Sequence, residues 1–312
     1  SYASAFKRIR ECKLVGVADP DSRRGREMAT ANSTKLMSVE ELLADESISA
    51  VCIGSANARH REDVEIAAEA GKNIMVEKPI ATRVEDAESM IAKCKKEGVF
   101  LQVAFVMRYS PIALEAKAAI DGGSVGEIQA ISGTNHGSMP GGWFIDKDLS
   151  GGGAILDHTV HIADLMNWYL GSRAKRVFAL GGNRLYPGLG IDDSGFVLVQ
   201  YDGAVGSIDP SWSRPEGHPI WGDVRMRIFG SEGTLEIDGF NQNIGLTRSG
   251  ERLNLVGYGS DVDLYTCRDL IESSIEGREP RSTGKDGLAA LEIALGAYES
   301  IRTGGTVDLP FT

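Results

Sequence analysis

An aspartate, a histidine and a second aspartate recur along the stretch Gly151 to Gly171, GGGAILDHTVHIADLMNWYLG. Asp157 and His161 are spaced i, i+4, and Asp164 follows His161 at i+3, so a helix carries all three on one stripe. Histidine changes charge near neutral pH, and a neighbouring carboxylate can orient it and tune its pKa. Such a stripe can do proton transfer. The same spacing also describes a solvated helix pair of small energetic weight, or half a metal site that lacks its other ligands. His158 points about 100° away from Asp157 on a helix, which suits a core position or a pocket wall equally.

The elements that must position these groups are legible around them. Ile155, Leu156, Val160 (or Thr159), Ala163, Met166 and Leu170 recur at helical spacing and predict an amphipathic helix. Gly151, Gly152 and Gly153 read as a flexible run before it, and Gly171 as its C-terminal cap. Upstream, short apolar runs at Lys13–Asp19, Ala50–Ser55, Asn73–Glu77 and Val99–Phe105 alternate with helical segments at 21–31, 39–44, 60–70 and 83–97. That alternation predicts an α/β unit with a parallel, doubly wound sheet. Downstream, Pro111–Asp121 reads as a helix and Glu127–His136 as a strand. His136–Asp148 reads as a Gly-rich loop with Trp143 and Phe144, suited to a substrate lid over Met139–Asp146. Strands follow at 176–182, 195–201, 204–212, 224–229 and 234–237, with Asp202-Gly203 as a hairpin turn. Helices at 263–276 and 286–302 close the chain. This second half reads as α+β with a large, mainly antiparallel sheet. The predicted division is residues 1–108 and 109–312.

Three further positions fit a dinucleotide site in the first half. Asp19 ends the strand where an acid holds the adenosine ribose. Ser55-Ala56-Asn57 and Glu77-Lys78-Pro79 follow the C-terminal ends of later strands, where ligands bind in open parallel sheets. Lys78 brings a cation to that crevice, and Pro79 holds the residue before it extended. No Gly-x-Gly-x-x-Gly stands upstream of Asp19. The expectation is therefore a chain lacking its first strand and glycine turn.

The chain has 312 residues, a net charge of -11 and an apolar fraction of 42%. Its basic residues do not cluster, which argues against nucleic acid or an anionic membrane as partner. No apolar run approaches a membrane span. Cys12, Cys52, Cys94 and Cys267 show no paired spacing, which fits a reducing, cytoplasmic setting and neither zinc nor disulfides.

The chain resembles the Gfo/Idh/MocA oxidoreductases. The resemblance rests on VADPD (17–21), EKPIA (77–81), MRYSP (107–111), the DHTVHIAD helix, FGSEGTLEID (229–238) and GLAALEIALGAYESIRTGGTVDLP at the end. It implies a Rossmann domain, here without its first strand, followed by an α+β substrate and oligomerisation domain. It implies NAD(P)-dependent hydride transfer to or from a sugar, cyclitol or related polyol. Lys78 would bind the reacting oxygen and the nicotinamide ribose, His161 would be the general acid/base, and Asp157 would orient His161 and substrate or share the proton. Asp164 is expected to be structural. Cofactor contacts are expected from Asp19, Arg23, Ser55, Asn57, His60, Glu77, Lys78 and Arg108. Asp19 favours NAD, while Arg23 and Arg24 leave NADP open. A homodimer or homotetramer through the antiparallel sheet is expected, because both faces of its strands carry apolar side chains. Two rival readings are an NAD-dependent glycosidase-like relative and an idle sensor or scaffold paralogue.

Overall fold

The computed structural model describes residues 2–246, 254–257 and 260–310. Ser1 lies outside them. The first part runs α1 (Tyr2–Phe6), β1 (Gly16–Val17), α2 (Ser22–Asn32), β2 (Lys35–Leu36), α3 (Val39–Ala44), β3 (Ala50–Ile53), α4 (His60–Glu69), β4 (Asn73–Val76), α5 (Val84–Glu97) and β5 (Leu101–Val103). Helix starts follow local chemistry. The Asp21 carboxylate accepts the Arg23 and Arg24 N–H groups at the start of α2, and Ser38 forms a capping box with Glu41 on α3.

All the strand pairs in this part are parallel, so the strand C-termini share one edge of each sheet. The sheet is in two pieces, a β1-β2 pair and a three-stranded β3-β4-β5. Sequence reading expects four strands here and misses β2. The reason is physical: both its residues are exposed, so it shows no apolar run.

The second part runs α6 (Pro111–Asp121), β6 (Ile128–His136), α7 (Lys147–Ser150), α8 (Ala154–Leu170), β7 (Arg176–Gly182), β8 (Ser194–Gln200), β9 (Val205–Ser211), β10 (Arg225–Gly230) and β11 (Thr234–Asp238). It continues with β12 (Asn243–Leu246), β13 (Asn254–Gly257), α9 (Val262–Glu276), α10 (Gly284–Thr303) and β14 (Val307–Asp308). Seven strands form one sheet in the order β11-β10-β6-β9-β8-β7-β14, antiparallel except for the β6/β9 pair. The Asp202-Gly203 turn joins β8 to β9, closed by Tyr201 N–H donating to the Ala204 carbonyl at 2.9 Å.

One face of this sheet packs on α8 and α10. Val197 and Val199 of β8 are buried there, whereas Phe196 and Leu198 point outward and are 65% and 53% exposed. Leu180 and Val205 join them on the open face. The core is continuous between the two parts. Ser282 donates to the Val103 carbonyl at 2.6 Å, and Val103 N–H returns to the Ser282 carbonyl at 3.1 Å. Tyr109 places its hydroxyl between Asp269 and Ser282 on the same seam.

Candidate active site

α8 carries the Asp–His–Asp stripe and is held on most sides. Its buried positions include Ile155, Leu156, Val160, Ala163 and Met166, and also His158, Thr159 and Asp164. It lies between the large sheet and α10, so the expected one-sided helix is instead a core helix. Its N-terminus has no cap from its own segment. The carboxylate of Asp192 reaches in from the loop before β8, accepting from Gly153 N–H at 3.0 Å and Ile155 N–H at 2.7 Å. This satisfies N–H groups that a helix start leaves without partners and puts negative charge at its positive end. The glycine run is tight rather than flexible. Gly151 has φ +81°, and a Cβ on Gly153 would stand 1.8 Å from the Asp192 carbonyl oxygen.

Lys78, after β4, meets Asp157 on the first turn of α8. Its Nζ donates to Asp157 Oδ1 at 2.5 Å and to the Asp157 carbonyl at 3.2 Å. Trp212 Nε1 donates to the other carboxylate oxygen at 3.2 Å, and His158 Nε2 lies 3.3 Å from it. Burial disfavours the charged carboxylate, but the Lys78 charge and the hydrogen bonds from Lys78 and Trp212 outweigh it and hold Asp157 well below the usual carboxylate range. Lys78 and Trp212 thus take one carboxylate oxygen each, and among the described residues no hydrogen bond joins Asp157 to His161.

His161 sits one turn further on, edge-to-face with Phe105 at 6.2 Å between ring centroids. Its Nδ1 is buried without a hydrogen-bond partner among the described residues. Burial, and then the Lys78 charge, hold its pKa well below the ordinary histidine value. The ring is therefore neutral at neutral pH and able to accept a proton. His158 is 3% exposed and donates through Nδ1 to the Asn135 carbonyl at 2.8 Å; burial lowers its pKa as well.

Asp164 is tied elsewhere. Arg108 grips it with two hydrogen bonds of 2.9 and 2.7 Å and also reaches the Arg281 carbonyl and Asp286. Arg108 is 3% exposed and lies over the Trp168 ring. Burial pushes the Asp164 carboxyl up against the pull of this guanidinium. Arg108, an expected cofactor contact, stands here in a buried ion pair. His60, another expected contact, is likewise engaged by the protein. It is wholly buried, with Nδ1 3.0 Å from the Pro79 carbonyl and Nε2 3.1 Å from the Ser55 carbonyl. It pins two turns together beneath the crevice and presents no face to it.

The other expected cofactor contacts stand at strand ends or beside them. Asp19 follows β1, accepts from Asp21 N–H at 2.8 Å and pairs with Arg24 at 3.1 Å. Arg23 is exposed and pairs with Glu27 at 3.3 Å. Ser55 donates to Asp63 at 2.6 Å, and Asn57 donates to the Ser150 carbonyl at 2.8 Å, which ties the first part to α7. Burial raises the pKa of Glu77, and its carboxylate accepts the Lys78 N–H at 3.1 Å. Ser55 and Lys78 thus follow the C-terminal ends of the neighbouring parallel strands β3 and β4, and Asp19 follows that of β1 in its own pair, the ends at which open parallel sheets bind ligands.

Two loops close over the Trp212 side. Met139 and Ile145 of the expected lid pack with Tyr186, Leu189 and Ile191 around Trp212 and Ala154. Trp143 and Phe144 stack on each other at 3.9 Å. Sequence reading misses Trp212, His158's contact with Asp157 and the loop 183–193. Each contact joins residues with no common period. Among the described residues, no cluster of three or more His, Cys, Asp or Glu could hold a metal ion, and no helix is long and apolar enough to cross a membrane.

Residues 1–105 match the oxidoreductase family with an NAD-binding Rossmann fold, and residues 113–236 match the GFO/IDH/MocA C-terminal domain. The chain is 30% identical over 317 residues to scyllo-inositol 2-dehydrogenase (NAD(+)) of Bacillus subtilis, covering 95% of this chain and 89% of that enzyme. It is 28% identical to myo-inositol 2-dehydrogenase of Thermotoga maritima, covering 99% and 94%. The structure of GenD2 from gentamicin A biosynthesis, solved with NAD, superposes with a TM-score of 0.90 at 25% identity, covering 99% and 93% of the two chains. Lys78 lies within the first match and Asp157 and His161 within the second, and the chain belongs to the GFO/IDH/MocA family of oxidoreductases, with an NAD-binding Rossmann fold.

Proposed function

We propose that the chain interconverts a secondary hydroxyl and a ketone on a cyclitol or sugar ring, with Lys78, Asp157 and His161 as its working groups. The observation that carries this reading is the Lys78–Asp157 pair at the strand edge, with a neutral imidazole one turn along α8 whose Nδ1 has no hydrogen-bond partner among the described residues. NAD, when bound, supplies the acceptor or donor of hydride. Lys78 holds the reacting oxygen and stabilises the negative charge that grows on it. His161 takes the hydroxyl proton during oxidation and returns it during reduction. Asp157 stays ionised and keeps the lysine aimed. Asp19, Ser55, Asn57 and Lys78 hold the cofactor, and Asp19 opposes a 2′-phosphate.

The same reading divides the chain near residue 108 into a cofactor half and a substrate half. It makes the open sheet face, with Leu180, Phe196, Leu198 and Val205, the surface on which copies of the chain associate. It places the protein in the cytoplasm on the strength of its four free cysteines.

The test is calorimetric titration with NAD and NADP, followed by a screen of inositols and sugars for NADH formation. NAD binding with turnover that disappears in Lys78→Ala and His161→Ala supports the reading. NAD binding without turnover on any polyol favours a sensor, and retained turnover in both variants overturns the residue assignments.

A further inference from the structure

We infer that Trp212 is a positioning residue for Asp157: its indole N–H fixes the plane of the carboxylate so that the opposite oxygen meets Lys78. The inference rests on the dehydrogenase reading of this site. Trp212 is fully buried at the end of β9, and its Nε1 donates to Asp157 Oδ2 at 3.2 Å while Lys78 takes Oδ1 at 2.5 Å. An indole N–H can only donate, and a buried donor without a partner is costly. The ring therefore holds one carboxylate oxygen and leaves the other for the lysine.

Trp212 is itself held. Its backbone N–H donates to the Asp193 carbonyl at 2.9 Å, and its backbone carbonyl accepts from the Tyr186 hydroxyl at 3.1 Å. Asp193, fully buried, gathers the backbone N–H groups of Arg184, Leu185 and Tyr186, each at 2.8 Å. The loop before β8 is thus wound around one carboxylate and fastened to the tryptophan that sets another. The side chains of Met139 and Ile145 complete the packing around the ring. His158, the remaining group near Oδ2, has its Nδ1 proton on the Asn135 carbonyl, so its neutral Nε2 offers no proton to the carboxylate. Among the described residues, that leaves the indole as the donor to this oxygen.

Trp212→Phe removes the N–H and keeps an aromatic ring in the packed site. The expected result is a fall in kcat of about tenfold with the KM for NAD unchanged and the thermal midpoint moved by far less than in Trp212→Ala. A second readout does not need turnover. In a sample with 15N-labelled indoles, the resonance lost in Trp212→Phe should shift in Asp157→Asn, because the acceptor loses its charge. An unchanged kcat in a polyol-active enzyme, or an indole resonance that ignores Asp157→Asn, overturns the proposal. If the wild-type protein turns over no polyol, the functional reading falls, and the resonance alone decides whether Trp212 holds Asp157.

Discussion

Lys78 and Asp157 are 79 positions apart in the chain and 2.5 Å apart in the fold. The lysine comes from the first sheet and the carboxylate from the helix under the second. Their ion pair is therefore both the centre of the site and a fastening between the two halves. Its side chains are only 17% and 13% exposed, so solvent screens it weakly.

Lys78→Ala removes the cation that the proposed mechanism sets against the reacting oxygen. The expected outcome is a loss of roughly 10²–10³ in kcat, the scale for deleting one stabilising donor. Steady-state rates on the best polyol check it. A wild-type kcat would remove Lys78 from the chemistry.

His161 predicts the acid side of the pH profile. Its pKa lies well below 6.5, so the free base persists to lower pH than in an ordinary histidine. Oxidation should rise with pH to a plateau already reached near neutrality, with its half-point below 6.5. His161→Asn should flatten that limb and cost about 10²–10⁴ in rate.

Arg108→Leu strands the Asp164 carboxylate in the core. Breaking a buried pair by removing one partner costs about 3–5 kcal/mol. Urea denaturation should report a loss on that scale, while folded protein keeps its affinity for NAD. A large loss of NAD affinity at unchanged stability would restore a cofactor role for Arg108.

His136 sets a stability limit on the alkaline side. It sits 3.2 Å from Asp209 and 3.0 Å from Asp223, and these hydrogen bonds push its pKa up to about 9. A pKa raised on folding contributes stability that is complete below the unfolded value of about 6.5 and is lost as pH rises through the folded value. Melting temperature should fall between pH 6.5 and 9 in the wild type, and more gently in His136→Gln. Parallel curves would show that the histidine is not linked to folding.

Asp192→Ala uncaps α8. Losing the carboxylate that accepts two backbone N–H groups costs about 1–2 kcal/mol. A lower melting temperature with a proportionally small change in KM is expected. An unchanged melting temperature would mean that Tyr298, which accepts from Gly153 and Leu156, caps the helix alone.

The site was legible where chemistry lies in sequence order. EKP follows an apolar strand, and Asp157 and His161 recur at a helical interval; the fold brings Lys78 to Asp157 and sets His161 one turn along the same helix. The α/β half, the antiparallel half and the Asp202-Gly203 turn were legible because period and turn chemistry are local. Trp212 was not, because an indole in an apolar strand reads as core until its neighbour is known. The surroundings of Arg108 and His60 were not legible for the complementary reason: a polar residue after a strand or at a helix start looks available, and only tertiary packing shows the carbonyls and carboxylate around it. Asp192 reads as a loop acid, since nothing local links it to a helix whose first turn lies 37 residues earlier.

The close packing of α8 has an engineering consequence. In the proposed mechanism Asp157 and His161 ride on a rod wedged between a sheet and a helix, while Met139, Ile145, Tyr186 and Leu189 belong to loops around Trp212. On that reading the Met139–Asp146 loop is an exchangeable faceplate, whereas the 183–193 loop is bolted to the rod through Asp192 and to Trp212 through Tyr186 and Asp193. New substrate preference can therefore be sought by grafting the first loop and leaving the second in place.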